Sequence, residues 1–477
     1  MLDGEVEPAL QRLPQVPDQD PLVPRPLPAL HGQLRVLRRD HVPGHGHLRS
    51  IGEHPPILVR VVDCTVALTP ETLGAATSAS EVRGERVVCE VCRNVARFCK
   101  LSRCPFYRDL LRELEVERQL SRETVYGPTP PFVLVGERGY PNVYSGPLVS
   151  LHPEVSLTED PRAWLTRSVE ELLRARLTLA FFRVRVDVRK AERPGRLEEV
   201  REAAASVKPV EVEVRHSGAV TYRPGFGLRA MPHGPSLRMV DAKTVGNPSI
   251  PKSVDELIEE RVRAEAAVRE LSRRGFDVYY ITRLLSSGLL GSASRRMVPT
   301  EWSITAVDDM LGRDAIRRVR RLPPIDEFRV YRHEALHNRA IVLLTPTVWM
   351  FELLEGWLRY PEESPYVDHE LHFGRTEYAE NTGGAYYAVR LSVARHLERI
   401  GRQAGSIVFF EVGRGWIPLG VWRFREITAA ALEGRYERFG DLREALDHIA
   451  PFLEIPMGRY LSKSALIRHL TRQGSLL

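Results

Sequence analysis

Aromatic residues and lysine are both missing from the start of the chain: no Phe, Tyr or Trp precedes Phe98, and no Lys precedes Lys100. Proline and histidine crowd that segment instead, as in Pro24-Arg25-Pro26-Leu27-Pro28 and His41-Val42-Pro43-Gly44-His45-Gly46-His47. Without large rings to bury, and with proline interrupting regular pairing, residues 1–85 are expected to be a disordered or over-extended leader. Their histidines lack the regular spacing of a metal-binding tract. Long apolar runs are absent too. A membrane-spanning helix needs ~18 to 20 such residues, and the longest candidate, Ala340 to Leu354, is broken by Thr345-Pro346-Thr347 and Glu352. No secretory signal is recognisable, so the expected class is soluble and cytoplasmic, with no membrane partner.

Cysteine is scarce, with five in 477 residues, yet four of them stand together as Cys89, Cys92, Cys99 and Cys104. The spacing is C-x2-C-x6-C-x4-C. A C-x2-C turn lets two thiolates converge on one ion, and a second pair closes a tetrahedral zinc site. Two disulfides are the rival reading, but a cytosolic chain with only Cys64 left over favours metal. Iron–sulfur ligation and free thiols are further alternatives. With sulfur in all four positions, the expected single Zn2+ holds shape and leaves no open catalytic position.

The formal net charge is +6, within an ordinary 43% hydrophobic and 27% charged composition. A moderate, arginine-rich positive excess suits an anionic partner such as DNA or RNA. Positive charge is densest at Arg295-Arg296 and at Arg313, Arg317, Arg318, Arg320 and Arg321. The second group lies on a predicted helix, Asp314 to Arg321, closed by Pro323-Pro324. Planar guanidinium groups match phosphate, which makes Arg317, Arg318, Arg320 and Arg321 candidate DNA contacts. A solvated helix face is the alternative.

Periodicity gives a mixed α/β (α+β) body behind a small N-terminal four-cysteine zinc knuckle. Helices are predicted over Tyr107 to Glu115, Trp164 to Leu179, Arg196 to Ala205, Pro251 to Arg274 and Trp349 to Leu358. Strands are predicted over Pro130 to Gly136, Phe181 to Val188, Val210 to Arg215, Phe328 to Arg332, Ala340 to Leu344 and Ser406 to Val412. Between them, Gly139 to Pro147 reads as a Gly/Pro-rich loop, either a ligand approach or a chain reversal.

Four local patterns carry possible chemistry. Asp241-Ala242-Lys243 ends an apolar strand, as in half of a metal-dependent nuclease core, where an acid holds Mg2+ and a lysine stabilises developing charge. A surface ion pair running into an Asn-Pro turn is the plainer reading. His333-Glu334-Ala335-Leu336-His337 matches H-E-x-x-H, which on a helix would hold zinc for a metallopeptidase. Here it falls between two predicted strands. Asn381-Thr382-Gly383-Gly384 opens a helix running through Ile400, with free backbone N–H groups for an anion. Gly413-Arg414-Gly415-Trp416 leads into Val421-Trp422-Arg423-Phe424-Arg425, read either as a backbone-contacting nucleic-acid site or as a half-buried hairpin.

The four-cysteine knuckle, Asp241-Ala242-Lys243-Thr244-Val245-Gly246-Asn247-Pro248, Asn381-Thr382-Gly383-Gly384-Ala385-Tyr386-Tyr387 and Pro418-Leu419-Gly420-Val421-Trp422 together resemble the archaeal Nre DNA-repair family. The resemblance runs from about Arg86 to the end. It implies a role in the DNA-damage response, a zinc finger at 86–108, Nre-like domains at 109–360 and 361–470, and a tail at 471–477 that binds the sliding clamp (PCNA). Of the clamp-binding pattern, Gln473 and Leu476 match the first half and Leu477 follows; no aromatic pair comes after them. The alternatives are a metal-dependent enzyme acting on DNA or nucleotides through Asp241 and Lys243, and an H-E-x-x-H peptidase.

Overall fold

The computed structural model describes residues 115–474 except 131–132, 153–160, 191–196, 222–224, 226–230, 293–294, 359–360 and 417–418. It also describes one short antiparallel pair, Arg60–Val61 with Cys64–Thr65. Apart from that pair, the expected leader lies outside the described residues. So do Cys89, Cys92, Cys99 and Cys104, the predicted helix over Tyr107 to Glu115 up to its last residue, and Leu476 and Leu477.

Alternating sequences such as Val210-Glu211-Val212-Glu213-Val214 bury every second side chain, and they build the first of two mixed sheets. Its strands are β1 (Thr124–Thr129), β2 (Val133–Val135), β3 (Asn142–Ser150), β4 (Leu179–Asp187), β5 (Val210–Thr221) and β6 (Ser236–Val245). They lie in the order β1-β5-β6-β4-β3-β2, antiparallel except for the parallel pair β4·β6. The expected loop over Gly139 to Pro147 is therefore a short reversal at Gly139 to Pro141, and Asn142 onward is strand. Val212, Val214, Phe182, Leu237 and Met239 form the buried face.

A helical block follows: α2 (Lys252–Glu259), α3 (Ala264–Arg273), α4 (Val278–Ser286) and the 20-residue α5 (Thr300–Val319), preceded earlier in the chain by α1 (Val169–Leu177). The single helix expected over Pro251 to Arg274 is broken at Glu260 to Arg263, where Arg261 takes a left-handed φ of 53°. Leu257 and Ala264 are seven residues apart, two helical turns, so the apolar spacing stays in phase across the break and conceals it. The arginine-bearing helix in turn starts fourteen residues before Asp314.

The second sheet is the centre of a three-layer unit. Its strands are β7 (Phe328–Ala335), β8 (Asn338–Thr345), β9 (Met350–Trp357), β10 (Tyr366–Glu370), β11 (Gly405–Val412) and β12 (Tyr436–Phe439), in the order β10-β9-β11-β8-β7-β12. Only β9 and β11 run parallel. One face, with Val342, Leu344, Phe351, Leu353, Val408 and Phe410, packs on α5, α6 (Gly384–Arg399) and α7 (Trp422–Glu433). The opposite face, with Ile341, Leu343, Leu354, Ile407 and Phe409, packs on α8 (Leu442–Ile449), α9 (Met457–Lys463) and α10 (Ala465–Gly474). The expected domain boundary at 360/361 falls inside this one sheet.

Two expectations fail here. Trp349 to Leu358 is the strand β9 and no helix: Met350 to Gly356 are all buried, because the strand lies between two neighbours and under helices on both faces. That environment overrides the helical preference of its Leu and Glu residues. Val421 to Arg425 is not hairpin but the entry of α7, and Arg423 and Arg425 are fully buried.

Candidate functional site

Along α5, the candidate DNA-contacting arginines fall into two sorts. Arg317 donates to Asp314 at 2.7 Å, and Arg318 pairs with both Asp314 and Glu398. Arg313 is held by Asp309 at 2.9 Å. Arg320 and Arg321, exposed at the C-terminal end, have no carboxylate within 4.0 Å among the described residues. Beside this stretch, α3, α5 and α6 enclose a cleft of about 400 Å³ lined by Arg269, Arg273, Arg318 and Arg395, with Asp314 and Glu398 opposing them. Arg395 donates to Ser272 Oγ at 3.4 Å, and its burial together with nearby Arg425 lowers its pKa.

Asp241 and Lys243 stand exposed on β6, where Lys243 pairs with Glu213 at 3.3 Å across the sheet. Among the described residues no second acid joins Asp241, and no group of three His, Cys, Asp or Glu is arranged to ligate a metal. This is the surface ion pair of the plainer reading. His333, Glu334 and Ala335 end β7, while Leu336 and His337, both with positive φ (51° and 58°), make the two-residue turn to β8. On a strand His333 and Glu334 point to opposite faces, and Glu334 accepts from Arg339 at 2.9 Å. The helical zinc geometry of H-E-x-x-H is not formed.

The Asn381-Thr382-Gly383-Gly384 turn does bind an anion, but the anion is the protein's own. Asp368 on β10 accepts from Thr382 N at 2.8 Å and Thr382 Oγ1 at 2.9 Å, while its other oxygen meets Arg375 at 3.0 Å. Gly383, at φ 54° and ψ −132°, makes the bend that lets α6 begin there.

Asp368 belongs to a buried ionic layer that sequence reasoning missed. Next to it Glu370 accepts from Trp349 Nε1 at 2.8 Å and from Arg390 at 2.9 Å, and Arg390 continues to Asp309 on α5. Glu355 accepts from Trp357 Nε1 at 2.9 Å, and burial pushes its carboxyl pKa upward. Arg423 donates to the Gly420 carbonyl at 3.1 Å and stacks 4.9 Å from the Trp416 ring; burial pushes its pKa downward. On the other sheet face, Glu352 accepts from Ser464 Oγ and from Ala465 N at 2.7 Å, and Glu411 from Ile455 N at 2.9 Å and the Tyr460 hydroxyl at 3.0 Å. The signal was present as Glu352 and Glu355 inside the apolar run Met350-Phe351-Glu352-Leu353-Leu354-Glu355. Most of these groups are internal and organise the fold; Asp309, Arg375 and Arg390 also line a small cleft between α5 and the segment before α6. The tail residue Gln473 lies in the last turn of α10.

Two successive family models match this architecture: Archaeal Nre, N-terminal, over residues 98–361 and Archaeal Nre, C-terminal, over residues 370–477. The chain belongs to the archaeal Nre family. Among relatives, "DNA repair protein NreB" of Archaeoglobus fulgidus is 34% identical over 391 residues, 80% of this chain and 97% of that protein. "DNA repair protein NreA" of Haloferax volcanii is 36% identical over 376 residues, 73% of this chain and 88% of that one. No solved structure matches. The two family segments meet within the second sheet, the N-terminal one supplying β7, β8 and β9 and the C-terminal one β11 and β12. Among the described residues no helix is long and apolar enough to cross a membrane.

Proposed function

We propose that this chain is a DNA-repair protein that holds DNA through the arginines at the C-terminal end of α5. One zinc ion on Cys89, Cys92, Cys99 and Cys104 shapes its N-terminal knuckle, and Gln473, Leu476 and Leu477 contact the sliding clamp. The repair role is supported by family membership and by the names of relatives that align over most of their length. The observation that carries the DNA reading is the contrast along α5: Asp309, Asp314 and Glu398 neutralise Arg313, Arg317 and Arg318, whereas no described carboxylate neutralises Arg320 and Arg321. Unpaired guanidinium groups keep their full attraction for phosphate, and binding them releases counterions.

The test is duplex-DNA affinity measured over a salt series. Replacing both Arg320 and Arg321 by Glu is expected to weaken binding at least about tenfold and to reduce the salt slope by about two. Unchanged affinity and slope in that variant would refute the assignment.

A further inference from the structure

Among the described residues, the first sheet exposes part of one face, and that part is both aromatic and cationic. Tyr144 on β3 stands directly across from Arg185 on β4, and its side chain remains 40% exposed. The Arg185 guanidinium carbon lies 5.2 Å from the Tyr144 ring centre, and that of Arg183, two residues along the same strand face, lies 4.6 Å from it. Arg183 is in register with Arg238 on the parallel strand β6, and Arg238 is exposed on that same side. Arg215 on β5 continues the face, opposite Asp241. Arg185 donates to the Asn142 carbonyl at 2.7 Å; for Arg183, Arg215 and Arg238 no carboxylate lies within 4.0 Å among the described residues. The nearest end of the patch holds Asp187, already engaged by Arg189 at 3.0 Å. Two arginines therefore flank one exposed tyrosine, and Arg238 and Arg215 extend the positive charge over the next two strands, with Asp241 opposite Arg215.

We infer that this face binds single-stranded DNA, an unstacked base lying on Tyr144 and its guanidinium neighbours while Arg238 and Arg215 take backbone phosphates. The inference rests on the reading of the chain as a DNA-binding repair protein and adds a surface distinct from α5. A sheet face with an exposed ring layered with guanidinium planes offers a base a surface to stack on, which a duplex denies by keeping its bases stacked away. Charge supplies the rest: guanidinium groups stack on bases and pair with phosphate, so one arginine layer serves both parts of a nucleotide. The sequence concealed the site because Phe181-Phe182-Arg183-Val184-Arg185 alternates like any half-buried strand, and Tyr144 is brought to it only by the β3·β4 register.

Fluorescence anisotropy of the full chain with a labelled oligo-dT strand and, separately, with a mixed-sequence duplex tests this. Tyr144→Ala should weaken oligo-dT binding about five- to tenfold or more, the loss of one stacked base, while Tyr144→Phe keeps it. Arg215→Ala with Arg238→Ala should lower the oligo-dT salt slope by about one to two. Duplex affinity should follow Arg320 and Arg321 and not Tyr144. Binding of duplex with none of oligo-dT overturns this inference and leaves the α5 assignment standing; oligo-dT binding unaltered by Tyr144→Ala and the double arginine variant also overturns it. Circular dichroism confirming that the variants fold makes either loss attributable to the surface.

Discussion

Arg425 Nη2 lies 2.6 Å from each carboxylate oxygen of Asp308, with Nε 3.1 Å from Oδ1, inside a region sealed from water. The pair ties α7 to α5, and the adjacent Glu426 accepts from the Tyr279 hydroxyl of α4. Removing one partner strands the other charge in the interior. Asp308→Ala is expected to cost about 3–5 kcal/mol in denaturant unfolding, and adding Arg425→Leu should return most of that loss. A single-variant cost under about 1 kcal/mol would contradict the pair's role.

The docking of α10 depends on a carboxylate in the middle of a strand. Glu352 takes Ala465 N, Leu466 N and the Ser464 hydroxyl, three donors at one helix start. Glu352→Ala should leave those donors unsatisfied and loosen α10 by about 2 kcal/mol. Hydrogen exchange should show faster amides over residues 465–474 with little change at Phe351 and Leu353; equal acceleration in both would mean the sheet itself failed.

His396 supplies an acid-sensitive element. Buried on α6 between Tyr331 and Arg399, with Arg329 also near, it has a pKa depressed to about 4. Between pH ~6.5 and ~4 the unfolded chain takes up a proton that the folded one refuses, so stability falls as pH falls through that window. The contribution is at most about 3 kcal/mol. His396→Phe should flatten this limb of the pH–stability curve in chemical denaturation, and an unaltered limb would assign the loss to other groups.

The proposed zinc knuckle predicts one zinc per chain by metal analysis. Cys92→Ser should remove it, whereas Cys64→Ser should not. Zinc retained in the Cys92 variant would point to ligands outside the four.

Strand alternation made β4 and β7 legible, whereas β8 and β11 were legible as short apolar runs, buried on both faces. The helix–strand inversion at Met350 to Trp357 was not legible: Leu and Glu prefer helix locally, and only the long-range pairing with β11 decides otherwise. Arg423 and Arg425 misled for a related reason. Arginine usually signals surface, and here Asp308 and the rings of Trp416 and Phe424 make burial tolerable. H-E-x-x-H was readable because its flanks alternate. The helix-opening turn at Asn381 was placed correctly, yet the anion held by Thr382 is a side chain fourteen residues earlier, which no local pattern reveals.

Because α10 is rooted by Glu352 in the strand beside β11, the turn that carries Gln473 is a lever and not a tether. A partner that grips that turn without unwinding it takes hold of the central sheet, at a fixed distance and heading. Orientation between the two bodies is then set by a helix roughly 15 Å long, not by slack.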